Sequence, residues 1–276
     1  MRIVKDFILG LVSYYEAAKF IVKHNLYLYF IAPVALIIAF YFGGEYIFNM
    51  MKDFDFENIK KLDYDNLKDE DLYTMLILGI ELVSVFVIAK FWNYLVLNIL
   101  TPMNTFLSTK TDTILTGNVF PITVKMYLED TFRAWRIMGQ NMVVWMLILA
   151  IWYILSIFLR LFIYDEIIDV INTIIVYGTG FYVFGFSLLD YTSERRRLNI
   201  SDSYKFVRKH VGLAFALGMV YSLCFRIPEI GAYVGVIVAP VLGVIAATLA
   251  THKLVDLSKN PHAKPKGFKK TKKINT

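Results

Sequence analysis

The chain has 276 residues, of which 57% are apolar and 19% charged, with a mean hydropathy of +0.54 and a formal net charge of +6. Soluble domains average about 45–50% apolar and about 25% charged residues, so a water-soluble fold is excluded and an integral membrane protein is expected. The lone cysteine, Cys224, excludes an internal disulfide framework and a cysteine metal cluster. The histidines are His24, His210, His252 and His262, and no two share a face of a predicted membrane helix, so no metal or cofactor is expected.

The N-terminal residues recur at helical spacing through Ile3, Phe7, Ile8, Leu11, Tyr15, Ala18 and Val22. Residues 1–25 are therefore expected to form an amphipathic helix on the inner membrane surface. Lys5, Asp6, Glu16, Lys19 and Lys23 interrupt any apolar core, which argues against a signal peptide. Six apolar stretches follow: Leu26–Phe42, Leu72–Leu100, Met142–Ile163, Ile167–Leu189, Val211–Phe225 and Glu229–Ala250. None alternates as a strand would, and helices satisfy their own backbone in lipid, so the fold class is all-α. Pro33 and Pro240 should kink their helices.

The lengths differ in a telling way. A bilayer core of about 30 Å needs about 20 helical residues. Leu72–Leu100 would run about 43 Å and Val211–Phe225 only about 22 Å. The stretches on either side of Tyr164–Glu166 form one tight hairpin, and those on either side of Arg226–Pro228 another. The expectation is two long membrane helices plus two hairpins, the second of which is too short to cross unaided. This single membrane domain covers 1–250.

Basic residues orient the chain. Segments 1–25, 101–141, 190–210 and 251–276 hold 22 of the 29 Lys and Arg residues, whereas 43–71 holds four against nine acidic residues. The Lys/Arg excess marks the cytoplasmic side, so both termini are expected there and 43–71 outside. The tail 251–276 reads as a disordered basic segment, able to touch anionic lipid. No base-reading or aromatic pattern accompanies its lysines, so nucleic acid is not an expected partner.

Asp130-Thr-Phe-Arg-Ala-Trp-Arg136 recurs as Asp202-Ser-Tyr-Lys-Phe-Val-Arg208, each just before an apolar hairpin. If the echo reflects two parallel units, Arg133, Arg136, Lys205 and Arg208 occupy equivalent positions near the membrane face. There they either anchor headgroup phosphates or line an anion path. Glu81 lies inside the second apolar stretch, nine residues from Lys90 and out of phase with it; it is either a functional ionisable group or a structural hydrogen-bonding one. Gly231, Gly235, Ala239, Gly243 and Ala247 form a row of small residues four apart, which suits close helix packing within or between protomers. No phosphate loop, zinc-protease helix or Gly-x-Ser-x-Gly elbow is present, so an enzyme is not expected.

Gly185-Phe-Ser-Leu-Leu-Asp-Tyr191, Glu194-Arg-Arg-Arg-Leu198 and Phe206-Val-Arg-Lys-His210 resemble the inner segment of CysZ-type sulfate permeases, a family that includes the etoposide-induced protein 2.4 group. Ile227-Pro-Glu-Ile-Gly231 with Ala239-Pro-Val-Leu-Gly-Val-Ile-Ala-Ala-Thr-Leu249 is similar to its closing segment, and Thr101-Pro-Met-Asn104 with Leu107-Ser108 to its stretch after the second helix. The resemblance implies a homo-oligomeric helical membrane protein with two part-way hairpins that takes up sulfate. It also implies an anion site where the family carries Gly-Leu-Arg-Arg. The matching positions are Asn25, Leu26, Tyr27 and Leu28, which lack both arginines. With Asn25 as N-cap, the following backbone amides would be the remaining anion donors. Arg195, Arg196 and Arg197 are the next candidates for an inner-face anion site, with positive-inside anchoring as the alternative. The expected function is a passive or gradient-driven permease for sulfate or a related small anion; the alternative is a non-transporting scaffold or lipid-organising protein on the same fold.

Overall fold

The computed structural model describes residues 2–52, 93–119, 124–196, 198–255 and 264–265. The elements are α1 (Arg2–His24), a 3-10 turn (Leu26–Phe30), α2 (Ile31–Lys52), α3 (93–99), α4 (Thr101–Thr116), α5 (Val124–Leu159), α6 (Asp165–Arg195), α7 (Ile200–Lys209), α8 (Val211–Cys224) and α9 (Gly231–Leu254). Among the described residues the protein is all-α apart from a two-residue antiparallel pairing of Asn118–Val119 with Lys264–Pro265. Among the described residues, three helices are long and apolar enough to cross a membrane, or four if the bent pair at the N-terminus is one span.

That bend occurs at Asn25, where the chain turns by 118° between α1 and the segment Leu26–Phe42. Asn25 is left-handed (φ 51°, ψ 47°), its amide donates to Val22 O, and its side chain caps nothing. Asn25 thus stands at the expected N-cap position of the 3-10 turn and also closes α1, in a left-handed conformation that its short polar side chain tolerates but from which it makes no capping hydrogen bond. Pro33 falls in the first turn of α2. It is the third residue of the helix, where its amide has no intrahelical partner to lose. Pro240, by contrast, lies inside α9. Two boundaries also move: α2 stays helical through Lys52, and α9 runs to Leu254, past the expected edge of the tail.

The packing explains the spacing of small residues. α6 and α8 cross so closely that a Cβ built at Gly185 would lie 1.7 Å from the Ala214 carbonyl oxygen, and one at Gly218 would lie 1.8 Å from that of Phe181. Without a hydrophobic drive between helices in lipid, such backbone proximity supplies the attraction. α9 is enclosed by its neighbours, while α5 faces mostly outward. The row of small residues on α9 packs inside the protomer: Gly231 and Gly235 abut Phe225, Gly243 abuts Leu188 and Tyr14, and Ala239 and Ala247 are fully buried.

α1 is more than a surface helix. Its apolar stripe (Ile3, Ile8, Leu11, Tyr15, Val22) points away from the protein, as an interfacial helix requires. The opposite stripe, Asp6, Gly10, Ser13, Tyr14, Ala17 and Ile21, is buried. There Tyr14 donates to Leu217 O at 2.7 Å. Arg2 donates to His210 Nε2 at 3.2 Å, and the other ring nitrogen of His210 lies 2.9 Å from Asp6 Oδ2. This clasp holds the start of α1 on the junction of α7 and α8.

The two hairpins differ in reach. The antiparallel register of Gly185 with Ala214 and of Gly218 with Phe181 puts the α8–α9 turn near Tyr177, whose ring lies 3.8 Å from the Arg226 guanidinium carbon. α6 continues from Tyr177 back to Asp165, about 18 Å further at 1.5 Å per residue. The first hairpin is closed beyond that level by Trp152 donating to Asn172 and by Arg160 paired with Asp165 and Asp169.

Candidate functional site

The polar interior gathers at the end of the molecule where α5 carries Arg133, α6 carries Asp190, and α7 begins. Asp190 is 2% exposed. Arg133 clamps it in two-pronged fashion, Nη1 to Oδ2 at 3.2 Å and Nη2 to Oδ1 at 3.3 Å. Nη2 also donates to Leu198 O at 3.3 Å and Ser203 Oγ at 2.9 Å. A buried carboxylate needs such compensation, and a planar guanidinium supplies it with matched geometry. One side chain thus ties α5, α6, the α6–α7 turn and α7 together. Asn199, the N-cap of α7, accepts from the Asp202 amide at 2.8 Å and so fixes the start of that helix.

From this clamp a seam of hydroxyl and amide groups runs between α4, α6 and α9. Tyr191 OH meets Thr101 Oγ1 at 3.2 Å and accepts from Asn104 Nδ2 at 3.2 Å. Ser108 and Thr248 hydroxyls lie 3.0 Å apart, and Thr192 and Thr251 hydroxyls 3.3 Å apart. Tyr94 OH donates to Met138 O at 2.7 Å and contacts Ser187. Threonines at 101, 109, 111, 113 and 116 also return their hydroxyls to carbonyls four residues back, which satisfies them without water. Several buried polar atoms keep no hydrogen bond: Asn104 Oδ1, Ser193 Oγ, Arg196 Nη1 and His252 Nε2 are among them. The Arg196 guanidinium lies over the Phe206 ring at 5.2 Å, and burial makes it a weaker base than an arginine in water.

The expected site residues do not converge on one place. Leu26 is 3% exposed and packs in the core, while Asn25 is exposed on the bend. The segment they open is a five-residue 3-10 turn that runs directly into α2. The two sequence echoes are not equivalent: Asp130–Arg136 lies within the long helix α5, whereas Asp202–Arg208 lies in the separate short helix α7. Arg133 is half-buried in the clamp, but its counterpart Lys205 is exposed and pairs with Asp202 at 3.0 Å. Arg136 is exposed. Arg195 ends α6 in its backbone; its side chain, together with Arg197 and Glu81, lies outside the described residues. Asp190 and Ser203 were not singled out by sequence reasoning, although Asp190 is a lone carboxylate at the end of an apolar stretch, the kind of residue that needs a partner.

The sequence that builds these elements finds a counterpart in one family comparison. Residues 13–234 match the family described as sulfate transporter CysZ/etoposide-induced protein 2.4. The chain belongs to that family. The match covers most of the chain and includes the clamp, the seam between α4 and α6, the first hairpin and α8, but of α9 only residues 231–234. The family is a transporter-type family, which supports a sulfate-transporter-like role at that level. No curated protein matches the chain.

Proposed function

We propose that this protein is a passive or gradient-driven membrane permease for sulfate or a related small anion. It acts in the inner (plasma) membrane as a homo-oligomer, with both termini cytoplasmic. Family membership over residues 13–234 carries this reading. The distribution of Lys and Arg supports the orientation, since the clamp end of the molecule would then face the cytoplasm. Cationic side chains at that face raise the local concentration of an anion through long-range potential.

Labelled sulfate flux into proteoliposomes tests the proposal. Flux above protein-free liposomes is the expected result. A folded, correctly inserted protein that passes no sulfate would overturn the sulfate assignment, and a panel of other small anions would then decide whether any permease reading stands. One observation favours the second reading, a non-transporting scaffold or lipid-organising protein. The residues at the family's anion element, Tyr27 and Leu28, carry no charge, and the donors of Arg133 are already committed to the protein.

A further inference from the structure

We propose that Arg196, just past the end of α6, and Ser193, one turn before it, form a binding site for a tetrahedral oxyanion: sulfate, phosphate or the phosphodiester of a lipid headgroup. The proposal deepens the anion-handling reading by naming a site for it. It begins from a contrast between Arg133 and Arg196. Arg133 spends its donors on Asp190, Leu198 and Ser203. Arg196 has a buried Nη1 with no acceptor in the protein. A charged donor withdrawn from water without an acceptor is among the more costly arrangements a structure can retain, and it calls for a ligand that the protein itself does not supply.

The neighbouring groups indicate the ligand's chemistry. Ser193 is fully buried, and its Oγ also lacks a partner. Residues three apart on a helix share a face, so Ser193 and Arg196 address the same side of α6. Thr192, beside Ser193, meets Thr251 hydroxyl to hydroxyl at 3.3 Å. The Phe206 ring backs the guanidinium and restricts its swing. A hydroxyl and a guanidinium N–H are both donors. A metal cation would be repelled by the arginine, and an apolar ligand would leave every donor unsatisfied. A tetrahedral oxyanion supplies opposite charge and several acceptors at once.

Binding is read without transport. Thermal unfolding of the full chain in neutral detergent would be followed against sulfate and phosphate, with chloride at matched ionic strength as control. The same protein would be reconstituted in nanodiscs of phosphatidylcholine with and without phosphatidylglycerol, and retained lipid counted by mass spectrometry. The wild type is expected to be stabilised by sulfate or phosphate, or to retain phosphatidylglycerol selectively; the first result identifies a free ion as occupant and the second a headgroup. Arg196→Gln should weaken the response by about tenfold or more, as the loss of a charge-assisted hydrogen bond implies. Lys125→Gln, on exposed α5 surface, should leave it unchanged. If Arg196→Gln does not fold, Ser193→Ala carries the test, with a smaller loss expected. A wild type indifferent to all three probes, or an Arg196→Gln protein that responds as the wild type does, would overturn the site. Oxyanion binding that depends on Arg196 in a protein that passes neither sulfate nor any other small anion of the panel would keep the site and overturn the permease reading instead.

Discussion

Substituting Arg133 by Met removes the charge that compensates Asp190 and leaves a carboxylate whose side chain is 3% exposed. Breaking a buried pair from one side typically costs about 3–5 kcal/mol. The Arg133 side chain is 19% exposed, so water replaces part of what is lost and the lower end, about 3 kcal/mol, is expected. Asp190→Leu strands the guanidinium instead, but Ser203 Oγ and Leu198 O still accept from it, so that loss should be the smaller one. Changing both residues removes both buried charges and replaces them with apolar volume. The double variant is therefore expected to lie within about 1 kcal/mol of the wild type, a coupling of about 2–3 kcal/mol. Equilibrium unfolding in mixed micelles at rising dodecyl sulfate fraction measures all four proteins. Additivity of the two single changes within about 0.5 kcal/mol would refute the clamp as an energetic unit. Arg133→Met should also speed amide hydrogen exchange in α7, because the guanidinium holds Leu198 and Ser203.

Gly185→Ala and Gly218→Ala should each destabilise by more than about 3 kcal/mol, the upper end of ordinary overpacking, because their Cβ atoms would meet backbone at 1.7 and 1.8 Å; Gly139→Ala, with nothing within 4 Å of its Cβ, should be neutral or stabilising in the same unfolding assay. Asn25→Ala should cost about 1 kcal/mol through its left-handed backbone while Asn25→Gly costs nothing; equal losses in both would restore a capping role to the side chain. Tyr191→Phe removes a hydroxyl that meets Thr101 and accepts from Asn104, and should cost about 1–3 kcal/mol in thermal unfolding, whereas exposed Tyr41→Phe should cost nothing measurable.

Composition and spacing were enough to establish a membrane protein built of helices, since apolar runs near bilayer length permit no other backbone solution. They also located both hairpin turns, because Tyr164–Glu166 and Arg226–Pro228 interrupt apolar runs too long to continue otherwise. The row of small residues on α9 was legible as packing, because four-residue spacing and side-chain size are properties of the chain itself. What helix that row meets was not. Leu188, Tyr14 and Phe225 come from distant parts of the sequence, and a pairing between such segments leaves no local pattern. The same limit explains the arginines. Arg133 and Arg196 look alike as letters in basic clusters. Only the fold places Asp190, 57 residues from Arg133, within its reach and leaves Nη1 of Arg196 buried without an acceptor. It also set Asn25, at the start of the next helical segment, in a left-handed conformation where its side chain caps nothing, since the 118° bend answers to how α1 packs on α8 and α9. Backbone satisfaction in lipid is a local constraint that the sequence carries in its own periodicity. The state of a charge depends on which donors and acceptors surround it, and those are chosen by tertiary structure.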